Sequence, residues 1–335
     1  MTEPSPRVAV LLTDRARAMV MSDRAAERLD ALTEVTWASG NADDWDLDSL
    51  LEGAVAAVTG WFTPWIGADL LERHPRLRFL AHTAGSVRGL LPLELVGARL
   101  RVSHATPLFA PAVSEFTIMQ MLSCLRHLPA LDKGMKAGAA WDSFDGRYRA
   151  GLLGSRTVGV IGASRSGRAV ITLLRAFGAT VLVVDPTVSE EDVAALGAER
   201  VELDELLRRS DIVTLHAPLL PETEGMLGAR ELSLIRDGAI LVNSARGGLI
   251  DSAALYAEFS SGRLSGALDV FPEEPLPDQS AWRELDNVIV SPHRAGYTVE
   301  SHLRNGDAMV DEIGRWLRGE LLQFEIPPQR VAVVA

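Results

Sequence analysis

Residues 157–186 read TVGVIGASRSGRAVITLLRAFGATVLVVDP. The apolar run Thr157 to Ile161 predicts a strand, a glycine-bearing turn and a helix follow, and a second strand, Thr180 to Val184, ends at Asp185. In a dinucleotide-binding turn of the form Gly-x-Gly-x-x-Gly, the first glycine makes the sharp bend and the middle one lets backbone approach a pyrophosphate. The third packs helix against strand. Gly162 and Gly167 fill the first and third places, and Ser164 takes the middle one. A serine there costs some close approach, although its hydroxyl can donate to a phosphate oxygen at a helix N-terminus that already favours anions. Two glycines in a strand-turn-helix are common on their own; the flanking strands, the helix and the terminal acid favour the nucleotide reading. A carboxylate at Asp185 suits the adenosine ribose diol and repels a 2'-phosphate, so the expected cofactor is NAD, with NADH preferred over NADPH.

Working outward, apolar runs recur at Ile212 to Leu215, Ala239 to Val242, Leu264 to Leu268 and Val288 to Val290, with helical patterns between them. Strands of near-continuous apolar character alternating with helices indicate a parallel sheet covered on both faces. Upstream, a second set of runs lies at Val8 to Leu12, Val35 to Trp37, Ala54 to Thr59, Leu77 to His82 and Leu100 to Ser103, with helix-like segments such as Ser22 to Leu32 and Gly67 to His74. The fold class is therefore α/β, with two doubly wound parallel-sheet lobes. Between the lobes' strands runs a long apolar stretch, Pro111 to Gly138, with Pro111 near a helix start and Pro129 expected to break or kink it. Such a stretch has to be buried, between the lobes or in a dimer interface. An aromatic and polar segment follows at 141–148. In the tail, Thr298 to Gly319, the helical pattern lets Leu303, Val310, Ile313, Trp316 and Leu317 share a face.

A chain of 335 residues exceeds one ordinary core, in keeping with two lobes. Its net charge of -12 opposes nucleic acid and anionic membranes, and no Lys/Arg run makes a local exception. The apolar run after the polar N-terminus is too short for a signal-peptide core or a membrane span. Cys124 is the single cysteine and has no intrachain partner, so a reducing, cytoplasmic location is expected. The seven histidines show no paired ligand spacing, which argues against a metal, and no Gly-x-Ser-x-Gly elbow supports a serine hydrolase.

Three further segments carry chemistry: VNSARGG with Arg246, ALDVFPEEP with Asp269 and Glu274, and SPHRAG with His293. Reduction of a 2-oxo acid needs a group to hold the carboxylate, a proton donor for the carbonyl oxygen, and a group that keeps this donor charged and aimed. An arginine fork suits the first task, a histidine the second, and a carboxylate on the other ring nitrogen the third. Taken singly, Arg246 reads as a surface ion-pair residue, Glu274 as a solvated loop charge and His293 as a core or interface histidine. Each follows a strand-like run, so all three can gather at the carboxyl edge of one sheet, where open α/β folds bind ligands.

With these segments the sequence resembles the D-isomer-specific 2-hydroxyacid dehydrogenase family over essentially its whole length. The resemblance rests on the Gly162 to Gly167 turn with Arg165 after the serine, HAPLLPET at His216 to Thr223, NSARGGLID at Asn243 to Asp251, GALDVFPEEP at Gly266 to Pro275, and SPHRAG at Ser291 to Gly296. It implies a triad of Arg246, Glu274 and His293 in the three roles above. It further implies an NAD site lined by Gly162, Ser164, Arg165, Ser166, Gly167, Asp185, Pro186, His216, Ala217, Pro218, Thr223, Ser244, Ala245, Asp269 and Gly296. The implied organisation is a Rossmann-type NAD-binding domain at 106–296 and a flavodoxin-like, discontinuous substrate domain at 1–105 and 297–335. Hinges fall near Ala105 to Pro107 and Arg294 to Tyr297, with lobe closure completing the site.

Three positions depart from the family pattern: Ser164 for the middle glycine, GALDV one residue shorter than the usual GAALDV, and Arg294 after the histidine. HTAGSVRGL, at His82 to Leu90, sits where the family offers backbone amides to the substrate carboxylate, which makes Thr83, Ala84, Gly85 and Ser86 substrate residues, but its wording differs from Val-Gly-x-Asp. TGWFTPW, at Thr59 to Trp65, offers Trp61, Phe62 and Trp65 as an apolar wall and no base for a phosphate; they read equally as core aromatics. Arg88 is the counter-feature, able to reach a second acidic group. A small, uncharged and fairly bulky 2-oxo acid is the expected substrate, and a homodimer the expected assembly. The rival readings are an NAD-sensing regulatory protein of the same fold with little turnover, and a formate-dehydrogenase-like enzyme, whose relative has glutamine where this chain has Glu274.

Overall fold

The computed structural model describes residues 6–145 and 149–334. Part of the N-terminal polar segment and of the segment at 141–148 lies outside the described residues. The chain divides into two compact units, Met1–Phe109 with Tyr297–Ala335 and Ala110–Gly296. The first crossing falls after Phe109 rather than near 105 because Thr106–Phe109 is a 3-10 helix tied back to the first unit. In it, Thr106 donates to the Gly85 carbonyl at 2.8 Å and Phe109 meets the Trp61 ring edge-on.

In the first unit, strands β1 (Arg7–Leu11), β2 (Glu34–Trp37), β3 (Ala54–Thr59), β4 (Phe79–His82) and β5 (Arg101–His104) form an all-parallel sheet in the order β2-β1-β3-β4-β5, the flavodoxin-like arrangement. Alternate residues feed opposite cores: Leu11, Ala57, Leu80 and Val102 on one face, Val10, Val58, Phe79 and Ala81 on the other. The second face is covered by the helix Val299–Leu317, whose Met309, Val310 and Ile313 are fully buried. Trp316 and Leu317 pack half-buried against the same core, Trp316 stacked on Phe79, and Leu303 is half-buried; polar Asn305 and Glu312 are buried as well. Glu312 tolerates burial because its carboxylate accepts from Ser103 Oγ at 2.6 Å, from the Gln323 and Phe324 amides, and from Arg315.

In the second unit, β6 (Thr157–Ile161), β7 (Thr180–Val184), β8 (Glu199–Arg200), β9 (Ile212–Leu215), β10 (Ile240–Asn243), β11 (Ser265–Leu268) and β12 (Val288–Val290) make a seven-stranded parallel sheet in the order β12-β11-β10-β9-β6-β7-β8. Counted within the unit this is the Rossmann order with one added strand, and the order reverses at β6. The two-residue edge strand β8, with both residues exposed, is the one strand the apolar runs do not announce. The stretch from Pro111 forms two helices, Ala110–Leu125 and Leu128–Lys136. They part at His127, which takes a left-handed conformation (φ +52°), so Pro129 opens the second helix rather than breaking the first. Ile118, Met121 and Leu125 of the first join the core, whereas no residue of the second is buried. Among the described residues one helical stretch, Thr106–Leu125, is long and apolar enough to cross a membrane.

Candidate active site

Because every strand of the second sheet is parallel, the segments that leave β6, β7, β9, β10, β11 and β12 emerge at one edge. Gly162 follows β6 with φ +95°, and a Cβ there would lie 2.5 Å from the Ala217 nitrogen; a Cβ on Gly167 would lie 2.0 Å from the Gly162 carbonyl oxygen. Both glycines therefore bring protein segments together: the β6 turn against the His216–Ala217 backbone leaving β9, and the helix Arg165–Ala176 against the turn. Ser164 is different. It caps that helix with ordinary extended backbone, is exposed, and makes no side-chain cap bond. Its hydroxyl and the first helical amides, with exposed Arg165 and half-buried Ser166, are thus available to an anion at the switch point between β6 and β9. A cradle closed on both sides by glycine contacts fits a dinucleotide pyrophosphate.

Asp185 leaves β7 with its carboxylate held in place. Oδ2 accepts from the Ala163 amide at 2.7 Å, and Oδ1 from the Thr187 amide and hydroxyl at 2.8 and 2.7 Å. A carboxylate has about four lone-pair sites, so acceptor capacity remains beyond these three bonds. Pro186 beside it is exposed. His216 is buried, bonded through Nε2 to Thr214 Oγ1 at 3.0 Å, and burial pushes its pKa down to about 4. It is a neutral wall residue and no proton carrier near neutrality. Ala217 and Pro218 are half-buried beside it, and Thr223 folds their loop, donating to the Pro218 carbonyl at 2.6 Å and accepting from Leu220 N at 2.8 Å.

Arg246 is exposed at the end of β10's loop, with Nη1 donating to the Ala245 carbonyl at 2.7 Å. The loop is folded by buried Asn243, whose amide donates to the Arg246 carbonyl and accepts from Ala245 N. Ser244 donates to Gln120 Oε1 at 2.8 Å. A Cβ on Gly247 would lie 2.1 Å from the Phe271 carbonyl carbon, so this glycine seats the Arg246 loop on the segment leaving β11. In that segment Glu274 Oε1 accepts from the Phe271 amide at 2.9 Å and Oε2 meets His293 Nδ1 at 2.7 Å.

His293 adopts φ +53°, uncommon for a residue with a side chain, and Asp269 accounts for it. Fully buried, Asp269 accepts the Ser291 hydroxyl at 2.5 Å and the Arg294 and Ala295 amides at 2.8 Å each, while its own carbonyl accepts His293 N at 2.8 Å. Both carboxylate oxygens are thus engaged by the turn that carries the histidine. Gly296 closes the unit one residue later. Asn243 and Ser291 open two of the quoted motifs without having been given a role there, whereas Gln120 and Thr187 belong to this architecture but carry no motif that marks them from sequence.

In the first unit, Thr83 and Ala84 are buried, Gly85 is half-buried and Ser86 exposed, in the loop after β4. Trp61, half-buried, packs edge-on against His302 at 5.1 Å and Phe109 at 6.1 Å, while Phe62 and Trp65 are about half exposed.

A Rossmann-ordered sheet with a glycine-closed turn at its switch point and an acid after the next strand defines a dinucleotide-binding α/β protein. The chain belongs to the D-isomer-specific 2-hydroxyacid dehydrogenase family: residues 118–295 match its description "D-isomer specific 2-hydroxyacid dehydrogenase, NAD binding domain". It is 32% identical over 318 residues to a D-3-phosphoglycerate dehydrogenase of Methanocaldococcus jannaschii, covering 94% of this chain and 59% of that one. It is 31% identical to a glyoxylate reductase of Korarchaeum cryptofilum, covering 82% of each. The chain thus spans between about two fifths and three fifths of the length of the D-3-phosphoglycerate dehydrogenases it matches. Among solved structures, D-lactate dehydrogenase from Aquifex aeolicus complexed with NAD and lactic acid superposes with a TM-score of 0.75 at 26% identity, covering 94% of this chain and 96% of that one.

Proposed function

We propose that the protein is an NAD(H)-dependent oxidoreductase that interconverts a small 2-oxo acid and the D-2-hydroxy acid. The observation that carries this reading is the 2.7 Å contact between His293 Nδ1 and Glu274 Oε2, on the same sheet edge as Arg246. When bound, the nicotinamide supplies or accepts the hydride. With Nδ1 committed to Glu274, Nε2 of His293 is the atom that gives a proton to the carbonyl oxygen in reduction and takes it back in oxidation. Arg246 binds the substrate carboxylate as a fork. Glu274, itself fixed by the Phe271 amide, keeps the ring in one tautomer and one direction.

NADH preference follows from Asp185, whose fixed charge would oppose a 2'-phosphate by on the order of a few kcal/mol in a partly screened site. An Asp185→Ala variant should narrow the gap to NADPH, and equal use of both by the unaltered protein contradicts this. The aromatic segment Trp61 to Trp65, without a base, favours an uncharged bulky acid such as a phenylpyruvate-like or branched-chain compound, since burying an apolar side chain contributes about 1.5–3 kcal/mol. The segment itself offers no base to a phosphorylated substrate, as in the names of the longer relatives, and the cation beside it, Arg15, lies over the face of the Phe62 ring at 5.6 Å. The uncovered helix Leu128–Lys136, with Leu128, Met135 and nearby Trp141 exposed, supports a homodimer.

The test follows NADH absorbance against 2-oxo acids of increasing side-chain size, comparing kcat/KM for phenylpyruvate with glyoxylate and oxaloacetate in the unaltered protein and in Trp61→Ala. Preference for glyoxylate or oxaloacetate, or an unchanged ratio in Trp61→Ala, removes the substrate assignment. NADH binding without reduction of any acid, or full turnover by His293→Ala, removes the enzymatic reading in favour of a sensor.

A further inference from the structure

The loop Thr83–Ser86 is tied to its unit through the Thr83 side chain and through its carbonyls. Thr83 Oγ1 donates to the Thr59 carbonyl at 3.0 Å, and the Ala84 carbonyl accepts the Ala105 amide at 3.2 Å. The Gly85 carbonyl accepts Thr106 Oγ1 at 2.8 Å. Thr106 has one hydroxyl proton and spends it there, so its 2.9 Å contact with His104 Nδ1 has the histidine as donor. The backbone of the next residue, Ser86, faces the ring of His82, which lies buried beneath the loop. Thr59 Oγ1, 3.0 Å from His82 Nδ1, fixes the other side of that ring. His82 and His104 are register partners on β4 and β5, so the two rings sit side by side under one loop.

The consequence is geometric. In a trans peptide the N–H points opposite to the carbonyl of the same plane. The carbonyls of Ala84 and Gly85 are bonded to the scaffold and the Ser86 backbone faces the buried His82 ring, so the amides of Gly85, Ser86 and Val87 are turned away from it. None of these three amides donates a hydrogen bond among the described residues. A Cβ built on Gly85 meets only Thr106 Oγ1, at 3.9 Å, so the approach over the loop is open. Successive outward amides form a nest for an anion of carboxylate size.

We propose that Thr106, oriented by His104, and His82 are positioning residues that aim the Gly85, Ser86 and Val87 amides at the carboxylate of the substrate. This rests on the 2-oxo acid reading above. It adds that the grip on the carboxylate is set by side chains of this chain's own, from two strands and from the 3-10 helix that opens at Thr106. A substituted hydroxyl at 106 therefore acts on substrate affinity and leaves the hydride and proton chemistry of the second unit intact.

The experiment compares the unaltered protein with Thr106→Val, which keeps the shape and deletes the hydroxyl, and Thr106→Ser, which restores it. The measurements are KM and kcat for the best 2-oxo acid of the panel, NADH affinity, and binding of oxamate, an unreactive carboxylate mimic, to the NADH-loaded protein. Loss of one such tether should raise KM and weaken oxamate binding about tenfold in Thr106→Val, with kcat and NADH affinity within about twofold and Thr106→Ser near the unaltered values. His82→Gln, which keeps a donor of different reach, should shift KM in the same direction. The inference is overturned by unchanged oxamate binding and KM in Thr106→Val, by a serine variant as weak as the valine one, or by an unaltered protein that does not bind oxamate. If the protein reduces no 2-oxo acid, the catalytic reading falls and the oxamate comparison alone decides the role of Thr106.

Discussion

His216 makes one half of the acid response of this protein calculable. Its ring is buried at the exit of β9 and its pKa lies near 4, against 6.5 when exposed. A histidine held neutral in the fold takes up a proton on unfolding at any pH between those two values, so stability rises with pH across that window and is lost as pH falls from 6.5 towards 4. Integrated from about pH 7 to about pH 5, the difference in proton binding amounts to about 2 kcal/mol for this one group. His82, pushed down to about 3 by burial and by His104, contributes a loss of similar size to the first unit. Carboxylates held low by neighbours, such as Asp48 beside Arg73 and His74, act only at lower pH and leave this interval to other groups. The assay is urea unfolding of the unaltered protein and of His216→Asn at both pH values, followed by a probe in the second unit. However stable the variant is, it should lose about 2 kcal/mol less between the two pH values than the unaltered protein. Identical pH dependence in the two proteins would refute the argument that His216 is folded in its neutral form.

Three further outcomes are expected. Gly167→Ala places a methyl 2.0 Å from the Gly162 carbonyl oxygen, and the forced displacement should cost about 1–3 kcal/mol in stability and weaken NADH binding measured by fluorescence titration. Asp269→Asn replaces one acceptor oxygen with a donor and leaves a buried partner from the His293 turn without its acceptor, worth about 1–3 kcal/mol. Its melting temperature and kcat should both fall, and an unchanged kcat would show that the turn holds His293 without Asp269. Glu274→Gln removes the charge facing His293 Nδ1; kcat should fall about a hundredfold or more with NADH affinity retained, read by steady-state kinetics and titration.

Much of the fold was legible because parallel strands buried on both faces carry their signal locally, as apolar runs of three or more residues. Runs such as Thr157–Ile161 and Ala54–Thr59 coincide with strands β6 and β3 at both ends. A two-residue exposed strand such as β8 offers no such run. The helix Val299–Leu317 was legible as a helix, and Val310, Ile313, Trp316 and Leu317 do share the core-facing side, but the burial of Asn305 and Glu312 was not legible, since they look like solvent-facing residues until Ser103 and the 323–324 amides arrive to bind the Glu312 carboxylate. Likewise Pro129 announced a break whose place was decided by the left-handed residue His127.

By itself, then, the order of residues determined which segments other than β8 are strands, that the Gly162 turn and Asp185 belong to one β-α-β unit, and that an arginine, a glutamate and a histidine each leave a strand of the same half. Only the tertiary structure decided that Glu274 meets His293 through Nδ1, that Asp269 spends both oxygens on the histidine's turn, and that Ser244 finds Gln120 across 124 residues of chain. The reason is one of range: periodicity and turn chemistry act within about a dozen residues, whereas a buried hydrogen bond is satisfied by whichever partner the sheet order brings to the same edge.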